Sequence, residues 1–430
     1  MENNINTINI NTSGSTLSAP SSCSIHIVDS MMGTGKTNAA INYINESPAD
    51  SKFIVITPFL TEVERYKTRC SGKRFKEPLQ KMGKKLNDIK DLIREGANVV
   101  CTHALFQRFD DEVVEICRSL GYTMIMDEVA NVVEPLDITE KDLNTLMSQY
   151  CYAGDDGLVV WREDAQDYTG RFEDIKNLCN LGGLVIARNR MLIWLLPTKA
   201  FEAFKEIYIL TYMFDAQLQR YYYDYYNIAY DYMHVEGTNM YNSRFVSGKS
   251  SEDPGTSSAI DYSALVNIVQ SDKMNMIGDT YYALSSSWFQ KNSGNALMKQ
   301  LKNNTINFFR NIRTDNSRDN IWTAFKEYKS EIAGKGYTKG FLSLSQRATN
   351  TYKDRSSVAY LANIFLNPMV KGFFVDHGVK VDEDAYALSE MLQFIWRSAI
   401  RDERKIWVYV PSRRMRELLM DWIAKISNII

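Results

Sequence analysis

Two pairs of residues could carry chemistry. Lys36 and Thr37 close the run Ser30 to Thr37 (SMMGTGKT), and Asp127 and Glu128 directly follow the apolar run Tyr122 to Met126 (YTMIM). A lysine and a hydroxyl after two glycines suit a phosphate chain. Glycines let the backbone curl so that N–H groups point inward, and a helix N-terminus adds partial positive charge. Lys36 then reaches the β- and γ-phosphates, and the Thr37 hydroxyl ligands Mg²⁺. Met32, Gly33, Thr34, Gly35 and Asn38 complete the cradle for ATP, while Ser30 stands where the pattern has its first glycine. Asp127 can hold Mg²⁺ through water and Glu128 can polarise the attacking water. The structural alternative makes Asp127 a helix N-cap.

These groups must be placed by alternating strands and helices. Ile25, Ile27 and Val28 read as a buried strand before the loop, with a helix from Asn38. Phe53 to Thr57, Ala97 to Cys101 and Tyr122 to Met126 are further apolar, strand-like runs. The alternation predicts an α/β fold with a largely parallel sheet. A length of 430 residues allows two or three domains. Six cysteines without CxxC spacing and four scattered histidines argue against a disulfide scaffold or structural zinc. The absence of a membrane-length apolar run or a basic-then-apolar leader predicts a protein of the reducing cytoplasm, with no membrane partner. Residues 1–22, rich in Asn, Ser and Thr, read as a disordered tail.

Gly33-Thr34-Gly35-Lys36-Thr37, Thr57-Pro58, Thr102-His103 and Asp127-Glu128-Val129-Ala130 together resemble motifs I, Ia, Ic and II of superfamily 2 helicases. The last is similar to a DEAD/DEAH box ending in Ala130, and the overall flavour is similar to such helicases of bacteriophages. The resemblance covers roughly residues 24–135. It implies two RecA-like P-loop NTPase lobes, ATP and Mg²⁺ as cofactors, and a nucleic acid bound across both lobes, DNA ahead of RNA. Replication or recombination proteins are the further partners it implies. Thr57, Pro58, Thr102 and His103 would then touch the sugar-phosphate backbone. No upstream adenine-reading Gln motif accompanies them.

Arg65 to Lys90 carries ten Lys/Arg against Glu77 and Asp88, leaving the remainder of a chain of net charge −2 at −10. Lys81, Lys84 and Lys85 are candidates there for neutralising phosphates; a solvated helix face is the competing reading. Leu158 to Trp161 and Leu184 to Arg188 look like short strands bracketing a hairpin, and Ile207 to Tyr212 like a buried strand. Thr211 falls where the family carries motif III. The tyrosines at 221, 222, 223, 225, 226, 230 and 232 could stack on bases, but packing between lobes is favoured.

The C-terminal part reads as helices over Asn295 to Ile312, Asp319 to Ile332, Ala385 to Arg401 and Arg413 to Ile423. Strands are expected at Gly340 to Ser345, Met369 to Val375 and Lys405 to Val410. Spacing of four puts Gln393, Arg397 and Arg401 on one helical face. They resemble motif VI, whose arginines reach the phosphates bound by the first lobe; the second family arginine would fall at Ile400, one residue before Arg401. Ser343 to Asn350 occupies the place of motif V.

The expected organisation is a first lobe over 23–215 and a second over 216–430, the latter including the tyrosine-rich connection. The expected activity is ATP-driven translocation on, or unwinding of, nucleic acid. Two alternatives stand beside it. One is a DNA-packaging motor with a nuclease, for which Asp382, Glu383 and Asp384 are the nearest carboxylate cluster. The other is a non-enzymatic nucleic-acid-binding regulator with a degenerate ATP site.

Overall fold

A computed structural model describes residues 23–58, 60–79, 85–154, 157–237, 239–249, 260–313, 316–344 and 351–427. The expected tail, Lys81, Lys84 and residues 345–350 of the motif V position lie outside them. Four strands open the chain: β1 (Ser24–Asp29), β2 (Phe53–Thr57), β3 (Val99–Thr102) and β4 (Thr123–Asp127). An insertion follows with β5 (Val133–Pro135), β6 (Cys151–Ala153), β7 (Val159–Trp161), β8 (Leu184–Ala187) and β9 (Met191–Leu195). Next come β10 (Glu206–Thr211), β11 (Asp231–Glu236) and β12 (Arg244–Ser247). The last four are β13 (Val266–Ile268), β14 (Asn320–Thr323), β15 (Ser357–Tyr360) and β16 (Ile406–Tyr409).

The first sheet runs β12-β11-β1-β10-β4-β2-β3, parallel except for the antiparallel β11–β12 pair. Successive side chains of a strand point to opposite faces. Ile25, Ile27, Ile54, Ile56, Met124 and Met126 accordingly fill one apolar layer, and Val28, Val55 and Ile125 the other. Burial on both faces explains why these strands read as unbroken apolar runs. The second sheet, β13-β16-β15-β14, is parallel throughout and likewise covered on both faces. The α/β architecture of two lobes around largely parallel sheets is therefore present.

Several expectations need correction. β11 and β12 complete the first sheet, so a lobe boundary at 215/216 falls too early. Asp319 to Ile332 is not one helix: Asn320–Thr323 is a fully buried strand, because Ile321 and Trp322 belong to opposite apolar layers of the second sheet. Met369 to Val375 is helical, within Pro368–Asp376, where Pro368 opens the helix and the Asn367 side chain accepts from the N–H groups of Met369 and Val370. Of the Gly340 to Ser345 run, Phe341 makes an isolated bridge to Trp322. The two short strands of the insertion belong to separate hairpins, β7 pairing with β6 and β8 with β9.

The helix carrying Gln393 spans Glu383–Ile395, and Arg401 sits in a separate 3₁₀ turn, Ala399–Asp402. The three motif VI residues thus do not share one helical face. Tyr221, Tyr222 and Tyr223 are fully buried in the helix Leu218–Tyr225, which agrees with packing rather than base stacking.

The lobes share apolar surface. Val370, Phe373 and Phe374 of the helix Pro368–Asp376 join the core of the first lobe and its insertion. In return, Met31 and Tyr212 join the core of the second. At the β8–β9 turn, Arg188 forks onto Asp376 at 2.6 and 2.7 Å. Gly372 makes room for it, since a Cβ there would lie 2.9 Å from the guanidinium carbon.

Candidate active site between the lobes

The loop after β1 turns through Gly33 and Gly35 at φ 90° and 91°, a region that favours glycine. The helix Lys36–Glu46 starts directly behind it. Ser30, in the place of the pattern's first glycine, has a structural use: its Oγ accepts the Val235 N–H at 2.9 Å and ties β11 to the loop. The Lys36 ammonium is turned onto the carbonyl oxygens of Ser30 and Met31. A cation held by two weak acceptors is well placed to exchange them for phosphate oxygens. Burial depresses its pKa below the ordinary lysine value, against the opposing pull of Glu128, Asp29 and Asp127.

Asp127 ends β4, and Thr37 Oγ1 donates to its Oδ2 across 3.2 Å. Burial first, then the charges of Glu128 and Glu62, push the Asp127 carboxyl up to about 7. A buried carboxylate beside a hydroxyl fits a hard cation with oxygen ligands. Among the described residues no group of three or more His, Cys, Asp or Glu could hold a metal. Mg²⁺ at Thr37 and Asp127 would therefore draw its other ligands from phosphate and water, as this ion commonly does. Glu128 takes a positive φ of 71°, unusual for a non-glycine residue and a place where strain is often stored at functional sites.

Across from these groups stands the second lobe. A cavity of about 320 Å³ is lined by Gly33, Gly35, Lys36, Thr37, Asp127 and Glu128 on one side, with Met32 and Asn38 beside them. Gln393, Arg397 and Arg401 line it from the other. The two lobes come close: a Cβ on Gly33 would lie 4.0 Å from the Arg401 carbonyl oxygen. Arg397 is nearly buried, its guanidinium 5.9 Å from the Phe394 ring centre, whereas Arg401 is exposed in the cleft. Although they lie on different local elements, all three converge.

Other expected residues are placed differently. Thr34 turns its hydroxyl onto the Met31 carbonyl at 2.8 Å and is absent from the cavity lining. Thr57 is fully buried, and Pro58 lines the cavity between the lobes, so neither offers its side chain to a nucleic-acid backbone here. The half-buried His103 lies with Nε2 3.2 Å from the Asp127 carbonyl oxygen, beside the half-buried Thr102. Lys85 is exposed, 3.8 Å from Glu77. Asp382 caps its helix on the Ala385 N–H, Glu383 pairs with Lys371, and Asp384 with Arg414. Those structural ties leave the three carboxylates no arrangement as a nuclease centre.

The sequence matches a relative over nearly its whole length. It is 40% identical over 410 residues, 93% of this chain and 98% of the relative, to the SPbeta prophage-derived uncharacterized protein YonV of Bacillus subtilis (strain 168). The chain belongs to the YonV family. Within it, residues 133–194 match the YonV middle domain and residues 260–423 the YonV C-terminal Rossmann-like domain. In this YonV-family chain the middle-domain match covers β5 to most of β9, and the C-terminal match begins after β12. Among solved structures, S. tokodaii Xpd4 aligns with 93% of this chain and 94% of its own at a TM-score of 0.48 and 10% identity. A structure titled XPD_Helicase aligns with 94% and 95% of the two chains at a TM-score of 0.45 and 11% identity.

Sequence reasoning missed several residues at the site of this YonV relative. Glu62, Arg65, Trp396 and Asp402 also line the cavity. Arg65 and Arg69 both donate to the Asn38 amide oxygen, at 2.8 and 2.6 Å. The signal was available in part, since both arginines open the basic segment already singled out. Asp29 is half-buried and accepts the N–H groups of Met213 and Phe214, each at 2.9 Å. Burial raises its pKa despite those two bonds.

Proposed function

We propose that this chain is an ATP hydrolase of the superfamily 2 type that moves along or unwinds nucleic acid. One observation carries the reading: a single cavity is lined by Lys36, Thr37, Asp127 and Glu128 from one lobe and by Gln393, Arg397 and Arg401 from the other. Phosphoryl transfer asks the protein mainly for positioning and charge stabilisation. Lys36 and the loop N–H groups hold the phosphates, with Thr37 and Asp127 placed to hold Mg²⁺. Glu128 orients and deprotonates water, and the arginines neutralise charge developing on the transferred group. A lobe of residues 23–247 and a second beginning near residue 260 divide these roles, the polynucleotide lying across both. Arginines from the second lobe make turnover depend on how the lobes meet, which couples hydrolysis to movement of the contacts they carry.

The test is the ATPase rate of the full chain alone and with single-stranded DNA, duplex DNA or RNA. Stimulation by one polynucleotide supports the motor reading and identifies its track. ATP turnover that ignores all three leaves an ATPase with another partner, and absence of turnover under every condition sinks the enzymatic reading.

A further inference from the structure

The segment Asp127 to Asn131 carries two of the acidic groups of the site, Asp127 and Glu128, and a residue far along the chain holds it. Gln219, on the helix Leu218–Tyr225, is fully buried. Its side-chain carbonyl accepts the Ala130 N–H at 2.9 Å, and its amide donates to the Tyr223 hydroxyl at 2.9 Å. Ala130 lies two residues after Glu128, whose φ of 71° would relax if its surroundings allowed. Other bonds also hold this segment, among them Glu128 N–H to the Leu210 carbonyl at 3.0 Å, Gln107 Nε2 to the Asn131 carbonyl at 2.8 Å and Thr37 Oγ1 to Asp127 Oδ2 at 3.2 Å. Gln219 is the one of these donors and acceptors that reaches the segment from the tyrosine-rich helix.

The same helix grips the second lobe. Gln217, just before it, donates to Ser389 Oγ at 3.3 Å. Arg220 donates to the Lys380 carbonyl at 2.8 Å, and the Tyr221 hydroxyl bonds both the N–H and the carbonyl of Asp382, at 3.0 and 3.1 Å. Asp382 caps the helix Glu383–Ile395 that carries Gln393. A single two-turn element therefore touches the acidic segment through Gln219 and the helix that carries Gln393 through its neighbours.

We propose that Gln219 is a positioning residue for hydrolysis: its amide fixes Ala130, and through it the strained backbone that aims Glu128 into the cleft. The inference rests on the ATPase reading above. A buried amide with both ends engaged has one low-energy orientation, since turning it over would set the NH₂ group against the Ala130 N–H. A small displacement of Glu128 is costly, because a misplacement of about 1 Å can slow a reaction about 100-fold.

The test measures turnover at saturating ATP, affinity for a fluorescent ATP analogue, and thermal melting in the full chain. Gln219→Met keeps length and packing but removes both hydrogen bonds. The expected result is about a 10- to 100-fold loss of turnover with analogue affinity within about twofold of the unmodified protein. Gln219→Glu restores an acceptor for Ala130 and should recover most of the loss. Tyr223→Phe, which frees the amide without touching it, should show a smaller loss in the same direction and serves where Gln219→Met does not fold. Turnover of Gln219→Met within threefold of the unmodified protein overturns the inference alone. So does a parallel fall in affinity, melting and turnover that Gln219→Glu does not rescue. An unmodified protein without turnover overturns the ATPase reading and this inference together.

Discussion

Thr37 Oγ1 donates to Asp127 Oδ2 across 3.2 Å, although 90 positions separate the two residues. β1 and β4 are not neighbours in the sheet; β10 lies between them. The loop after β1 and the end of β4 meet because both strands run parallel and finish at the same edge. Lys36, Thr37 and Asp127 thereby line one cavity between the lobes.

Lys36→Ala tests the cradle. The ammonium bonds carbonyls of its own loop and stands in the cavity. Its loss should leave the melting temperature nearly unchanged while nucleotide turnover disappears. A folded Lys36→Ala protein hydrolysing ATP at the unmodified rate would remove the phosphate assignment.

Glu128→Gln separates binding from chemistry. Glu128 lines the cavity from a backbone held by the Leu210 carbonyl. The variant should bind ATP nearly normally and hydrolyse it about 10²- to 10⁴-fold more slowly, the usual size of a general-base contribution. Loss of ATP binding would instead make Glu128 part of the binding surface.

Asp127 makes a prediction about stability in the absence of nucleotide and metal. Its carboxyl is held up to about 7, chiefly by burial, whereas an unfolded chain would show about 3.9. The folded state then binds more protons between these values, so its stability falls as pH rises from about 4 through about 7. Asp127→Asn removes that ionisation. Melting followed by circular dichroism should show the variant more stable than the unmodified protein at pH 8, by an amount on the order of a few kcal/mol at most. The difference should fade towards pH 4. A variant less stable at pH 8 would mean that the charged carboxylate is supported by the fold.

How much of this was legible in the sequence depended on where the signal lay. The loop and its two flanking elements were readable because glycine, lysine and hydroxyl positions are dictated locally by backbone shape. The sheet of the first lobe was readable because strands buried on both faces stay apolar. Met369 to Val375 reads like a strand, MVKGFFV, because a helix buried against the other lobe carries the same aromatic and aliphatic residues as a strand. Asn320–Thr323 was hidden by the charged residues around it, and its burial comes from partners 37 positions away in β15. Arg397 and Arg401 reach one cavity although the helix stops at Ile395, so their convergence rests on the turn after it and not on helical spacing. Gln219 carried no local mark at all, since its role depends on a bond to a residue 89 positions earlier.

The basic segment gives a fourth prediction. Lys67, Lys76 and Lys90 pair with Glu64, Glu95 and Asp110 at 2.6, 3.1 and 2.6 Å, which neutralises much of the described part. Lys85 is held more loosely, 3.8 Å from Glu77. The candidates for polynucleotide binding remain Lys85 and, outside the described residues, Lys81 and Lys84. Reversing these three to Glu should weaken binding to single-stranded DNA and reduce the slope of log affinity against log salt by about one unit per lost phosphate contact. An unchanged slope assigns the segment to ordinary charged surface.

The arginines of the second lobe decide whether the two lobes work together. By its offset from Gln393, Arg397 resembles the motif VI arginine, but Arg401 is the better placed of the two for the proposed finger role. Arg397 is nearly buried against Phe394 and packs the turn as well as lining the cavity. Arg401 is exposed in the cleft, its backbone passes beside Gly33, and its charge is close enough to depress the Lys36 pKa further. Arginines delivered to a phosphoryl group in this way are worth about 10³ to 10⁵ in rate. Arg401→Ala should therefore leave ATP affinity little changed and remove most polynucleotide-stimulated turnover. Arg397→Ala should lower turnover and melting temperature together, because it also removes a packed side chain. Both variants are measured with saturating ATP and single-stranded DNA, alongside a melt. A larger, purely catalytic loss in Arg397→Ala would return the finger role to that residue. If neither variant loses tenfold, the second lobe contributes no charge to hydrolysis, and the cleft between the lobes is a binding site without a finger.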